Sequence, residues 1–180
     1  MDDFLEALAS DAAAPGAGAA VAVTTAMAAG LLAMFARSSA DLSDREALAR
    51  RADDLRAAAV ALIEADRDAY TRVLEHRHRR QEDPGGFRRV VAAANRPLLT
   101  AIEIAGDIVE AGLDVLPAGS AAVRPDLIAG MLLARSAVTV ATELIDANTR
   151  LGGLPDDDLD LARRHRAALR ERLDGVADAG

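Results

Sequence analysis

Along nearly the whole chain, apolar residues recur every three to four positions, and alternating strand-like runs are few. The pattern predicts helices separated by short breakers. Asp2 to Ser10 carries Phe4, Leu5 and Leu8 on one side of a short amphipathic helix. Pro15, Gly16 and Gly18 interrupt the chain, and a helix from about Ala19 to Arg37 follows. It has almost no polar face, so it belongs at the centre of a bundle or against another subunit. Ser43 and Glu46 stand at capping-box spacing ahead of a long helix that runs to about Arg80 with Leu48, Ala52, Leu55, Ala59 and Leu62 at helical spacing. Asp83-Pro84-Gly85-Gly86 breaks it. A helix from Phe87 to Leu113 is predicted to kink at Pro97, which removes a backbone donor and crowds the preceding turn. After the loop Leu116–Ser120, Pro125 suits a first helical turn, and a helix over Asp126–Arg150 ends at Gly152 and Gly153. Asp156–Asp158 places carboxylates at the positive end of a last helix, and the tail from Asp174 to Gly180 is expected to fray. The fold class is therefore all-α: a single domain over residues 1–180, built as an antiparallel bundle of five to six helices and expected to form a homodimer.

Composition sharpens this picture. Half of the residues (51%) are hydrophobic but only 2% are aromatic, so the core must be built from Ala, Leu, Val and Ile. The net charge of -8 disfavours a general nucleic-acid surface. All basic residues are Arg, so Schiff-base lysine chemistry is excluded. The absence of Cys excludes disulfides, thiolate metal sites and Cys nucleophiles, and suits a cytoplasmic protein. No metal site is expected: His76 and His78, two apart on a helix, point to different faces. Residues 17–36 are uncharged and long enough to span a bilayer, but they are mostly Ala, Gly and Thr and follow an acidic segment. We expect a buried helix and no membrane partner.

Several residues carry candidate chemistry. Asp126 opens a helix after a loop; it is the first candidate acid, and equally an acidic residue favoured by the helix dipole. Asp66 is the second, sharing a helix face with Tyr70 four positions on; the same stretch, with Arg67 and Asp68, also fits a solvated face. The turn of Pro15, Gly16, Ala17 and Gly18 offers helix N-terminal amides to an anion or a carbonyl, or is simply a tight turn for close packing.

Three segments together resemble the formiminotransferase-cyclodeaminase family, which includes methenyltetrahydrofolate cyclohydrolases. They are Ala14-Pro15-Gly16-Ala17-Gly18-Ala19-Ala20 leading into an Ala-rich helix, Asp66-Arg67-Asp68-Ala69-Tyr70, and Gly119-Ser120 through Arg124-Pro125-Asp126 leading into a helix that ends near Asn148. Pro97 stands where the family has a helix proline. The resemblance implies a dimerising helical bundle and a folate enzyme, either a cyclodeaminase or a cyclohydrolase. Its substrate would be a formimino- or methenyl-tetrahydrofolate, with no covalently bound cofactor. It implies Asp126 and Asp66 as catalytic residues. Pro15, Gly16, Ala17, Gly18, Tyr70, Gly119, Ser120, Arg124, Arg135 and Asn148 would bind substrate, the arginines by pairing with the glutamate carboxylates. The chain departs from the family pattern where Ala17 and Ala19 stand in a Gly-Gly-Gly-Ser-like turn, Ser120 for Asn, Pro125 for Ser, and Leu144 for an Asn one turn before Asn148. The alternative is a catalytically inactive relative that binds a small molecule or serves as a dimeric scaffold.

Overall fold

The computed structural model describes residues 2–176, and the expected fraying of the tail falls mostly outside them. Among the described residues there are seven α-helices and no strands: α1 Asp2–Ala9, α2 Ala17–Ser38, α3 Arg45–Arg77, α4 Pro84–Ala93, α5 Asn95–Val115, α6 Arg124–Gly152 and α7 Asp157–Leu173, with a 3-10 turn over Ala121–Val123 before α6. Helices α2 to α7 make the bundle. Helix α1 buries none of its residues.

The apolar helix α2 is the organising element, packing on α3, α5 and α6. Its direction against each neighbour can be read from residue pairs. Gly18 lies against Asp66 and Gly30 against Arg56, so α3 runs antiparallel to α2. Gly130 sits on Leu31 and Ala28, while Gly18 and Asn148 meet at the other end, so α6 is antiparallel too. Helix α7 returns along α6, with Arg166 donating to Glu143 at 2.8 Å and Arg163 facing Asp146. One core draws on α2, α3, α5, α6 and α7 through Leu32, Phe35, Ile102, Ile108, Met131 and Ile145, with Ala between them. Small residues let the axes approach closely, which is how a core with so few aromatics fills its volume. By length and composition, residues 17–38 and 121–152 would each suffice to cross a membrane, but most of the α2 stretch is buried inside the bundle.

Three local expectations are corrected. The Ser43–Glu46 capping box does not form. Asp44 is the N-cap residue of α3, it makes no side-chain cap bond, and the Ser43 hydroxyl lies 3.5 Å from the Asp44 carboxylate. Nor does the Phe87–Leu113 helix kink at Pro97. The chain instead divides at Ala94, and Pro97 is the third residue of α5, within the first turn, where no intrahelical N–H is owed. Asp83 also starts the preceding helix earlier than expected, its carboxylate accepting from Gly86 N at 2.8 Å with Pro84 in the first turn. At the far end of α6, Gly153 takes the left-handed conformation (φ 56°) that a C-terminal cap requires.

Two glycines give opposite predictions for stability. A Cβ on Gly119 would overlap the fully buried Phe35 ring, so Gly119→Ala is expected to cost about 1–3 kcal/mol. Gly106, inside α5, has open space around its Cβ position, so Gly106→Ala should stabilise by up to about 1 kcal/mol through helix propensity. Urea unfolding midpoints of the two variants should move in opposite directions.

Candidate active site

The apolar α2 begins at Gly16, whose extended backbone caps the helix without a side-chain bond, so the first amides of α2 stay available. The Ala14–Pro15 peptide is cis. Across from this helix start stand Asp66 and Tyr70 of α3, Leu98 near the start of α5, and Leu144 and Asn148 near the end of α6. Together with Ala13, Ala14, Gly16, Ala17, Gly18 and Ala94 they enclose a cavity of about 250 Å³. The starts of α2 and α5 and the end of α6 meet there against the flank of α3, because α2 and α5 run one way and α3 and α6 the other.

Asp66 is the single acidic residue in the wall. Burial raises its carboxyl above the ordinary 3.8, and the backbone N–H of Ala19 acts in the opposite sense by favouring the anion. The approach depends on Gly18: a Cβ there would overlap the Asp66 carboxylate. Gly16 has no such constraint, with open space where its Cβ would be. Tyr70 follows Asp66 by one turn on the same face and is 44% exposed, so its ring forms the rim. A carboxyl whose hold on a proton is strengthened by burial, beside helix N-terminal amides that favour its anion, can take up a proton and give it back.

The residues expected to form one site divide into two groups. Gly16, Ala17, Gly18, Asp66, Tyr70 and Asn148 come together around the cavity, while Pro15 lies in the same turn but outside the wall. Gly119 and Ser120 pack at the opposite end of α2. Gly119 fits against Phe35 and Ser39, and Ser120 N donates to Ser39 Oγ at 2.9 Å. Asp126 is in the first turn of α6 at that same end. The distance from Gly18 to Phe35 along α2 is about 25 Å at a rise of about 1.5 Å per residue. The expectation of one site from both loops is thus corrected within a single chain. Arg124 at the start of α6 has a buried Nε without a partner, and Arg135 lies in the α6–α7 groove, 3.8 Å from Asp174. Neither reaches the cavity. Arg67 is taken up by Glu64 and Asp68 on its own helix, and Asp68 faces a separate groove with Arg72, Arg89 and Arg96.

A family model described as formiminotransferase-cyclodeaminase matches residues 1–168. The chain belongs to the formiminotransferase-cyclodeaminase family. Among solved structures, it is similar to formiminotetrahydrofolate cyclodeaminase from Thermotoga maritima, with a TM-score of 0.83 at 17% identity, covering 98% of this chain and 96% of that one. Curated proteins give no match. At that identity the structural likeness establishes a shared helical fold, and it is the family match over most of the chain that connects the protein to folate chemistry.

For this member of the formiminotransferase-cyclodeaminase family, the wall residues that sequence reasoning did not single out are Ala13, Ala14, Ala94 and Leu98, together with Asn95 and Asp158 behind the wall. Small and apolar residues carry no chemical signal in a sequence this rich in Ala and Leu. Leu144, one turn before Asn148, was visible as a departure from the family pattern, and it does line the cavity.

Proposed function

We propose that the cavity binds the reacting end of a reduced folate and that Asp66 moves the proton in a cyclodeaminase reaction. The observation that carries this reading is Asp66 itself: the one carboxyl in the wall, raised by burial and facing the start of α2. In cyclodeamination, N10 of a 5-formimino-tetrahydrofolate attacks the formimino carbon. The bond from that carbon to the terminal nitrogen then breaks and ammonia leaves. With the formimino group entering as its amidinium cation, the Asp66 carboxylate takes the N10 proton as N10 attacks and then passes it to the departing amine, so ammonia leaves, the methenyl cation forms and the carboxylate is regenerated. The methenyl product is a cation, which the carboxylate also stabilises. Water addition to the methenyl carbon would use the same group as base.

A cavity of about 250 Å³ is small beside the ~300–1,000 Å³ usual for drug-sized ligands, so the glutamate part of a folate must extend outside it. We propose that a second copy completes the site. Met27 (52% exposed) and Met34 lie uncovered on α2, and Val60 of α3 is exposed at the level of Met27 by the register of the two helices. A two-fold axis across the middle of α2 would set the Gly119–Asp126 end of one copy beside the cavity of the other. Sedimentation of the wild type should give a dimer, and Met27→Glu with Met34→Glu should give a monomer with weakened substrate binding. A wild-type monomer that turns over substrate would contradict this arrangement.

Binding itself is tested through Tyr70, the only tyrosine in the chain. Protein labelled with 3-fluorotyrosine gives a single fluorine resonance, and 5-formyltetrahydrofolate, a close mimic that cannot release ammonia, should shift it saturably. No shift at millimolar ligand would count against the cavity as the folate site. The inactive-relative reading draws on Leu144, Ala17 and Ala19, which take the place of polar or Gly positions of the family pattern. It predicts the same fluorine shift with no turnover of either folate substrate.

A further inference from the structure

Behind the cavity wall lies a polar chain that neither the family match nor the fold likeness assigns. Asn95 is fully buried (0% exposed) at the junction of α4 and α5. Its Nδ2 donates to Asp158 Oδ2 at 3.0 Å, in the first turn of α7, and its Oδ1 accepts from Asn148 Nδ2 at 3.0 Å, on α6. A buried amide with both ends bonded to two other helices is costly to misplace, because an unmet donor or acceptor there loses about 1–3 kcal/mol.

The chemistry of the three groups gives the chain a direction. An ionised carboxylate only accepts hydrogen bonds. Asp158 therefore fixes the Asn95 amide with its nitrogen outward to α7 and its oxygen toward α6. That oxygen only accepts, so it fixes the Asn148 amide with its nitrogen turned inward. The end of Asn148 left for the cavity is then its carbonyl oxygen. Amide groups have nearly the same shape when flipped, so packing alone would not decide between the two orientations; the carboxylate does.

We propose that Asn95 is a positioning residue which, with its polarity set by Asp158, presents the Asn148 carbonyl oxygen to the cavity and so selects ligands that bring an N–H donor between Asn148 and Asp66. The ligand class is an amidine or an N–H-bearing heterocycle edge, which is met by acceptors on two sides. Its identification with the formimino end of a folate rests on the proposed function, whereas the polarity of the chain does not.

Asp158→Asn tests the proposal with little change of shape. The substituted amide can donate as well as accept, so the reverse polarity becomes possible and Asn148 can turn its nitrogen to the cavity. In the wild type, the side-chain amide of Asn148 should give one pair of proton–nitrogen resonances, protected from exchange. The variant should give two sets or a broadened one, with an unchanged backbone spectrum. For a formimino substrate, KM should rise about tenfold or more while kcat changes less. Asn95→Leu, which removes both bonds, should abolish the protection of the Asn148 amide. If it fails to fold, the Asp158→Asn spectrum still decides. An Asn148 signal identical in wild type and Asp158→Asn would overturn the proposal, even in an active enzyme. An altered signal in a protein that turns over no folate would keep the polarity chain and remove only the folate assignment.

Discussion

Asp66→Asn is expected to lower turnover about 10²–10⁴-fold, the range for loss of a positioned proton-transfer group, without unfolding the protein. The amide has nearly the same shape and can still accept from Ala19 N, so the wall of the cavity stays in place. Stability should rise. Burial raises the folded-state value of Asp66 above the ordinary 3.8, which means that the folded protein holds this proton more tightly than the unfolded chain does. Between the unfolded and folded values the folded state binds more protons, so stability falls as pH rises through that window, and the full cost of the buried charge is present above it. Asp66→Asn removes this cost at neutral pH and flattens that part of the pH dependence. Chemical denaturation of wild type and variant at mildly acidic and neutral pH should show the gap between them widening toward neutral pH. A variant that is less stable at neutral pH than the wild type would mean that Asp66 is a structural anchor and not a destabilised functional group.

The second large effect belongs to Gly18. In Gly18→Ala the new methyl overlaps the Asp66 carboxylate, which must swing away. A displacement of about 1 Å at a reacting group can cost about 10²-fold in rate, and that is the expected loss here. The effect on stability should be small. The group that moves is the free end of a side chain, and Ala gains up to about 1 kcal/mol over Gly within a helix. Gly16→Ala is the matched control: it lies in the same wall but has open space at its Cβ position, so turnover should change only slightly. Rates and urea midpoints measured on both variants separate the two cases. Equal losses in both would show that the turn as a whole matters, not the approach of Asp66 through Gly18.

Much of the scaffold was legible in the sequence because local rules govern it. The uncharged run before Arg37 marked α2 as a central helix, and Gly152–Gly153 and Pro125 marked the ends of α6. The errors arose where two local signals compete. Ser43 and Glu46 have the right spacing, yet Asp44 lies at the cap. Pro97 is an obvious breaker, yet it is tolerated in a first turn, and the break falls at Ala94 instead. The candidate site was legible where one helix face holds it, as with Asp66 and Tyr70, or where a glycine turn opens a helix. The loops around Gly16 and Gly119 could not be placed relative to each other from the sequence alone. Both border apolar helices, and only the antiparallel packing shows that they flank opposite ends of α2. Asn95 gave no signal at all, since its partners Asn148 and Asp158 are 53 and 63 positions away.

The most direct measurement is turnover. Purified protein is mixed with 5-formimino-tetrahydrofolate, and the near-ultraviolet absorbance of the methenyl product is followed together with released ammonia, with Asp66→Asn and buffer as references and 5,10-methenyltetrahydrofolate as a second substrate. The account predicts methenyl formation well above buffer, with ammonia in equal amount, and its near-complete loss in Asp66→Asn. Equal rates in wild type, Asp66→Asn and buffer for both folates, at protein concentrations comparable to substrate, would contradict it.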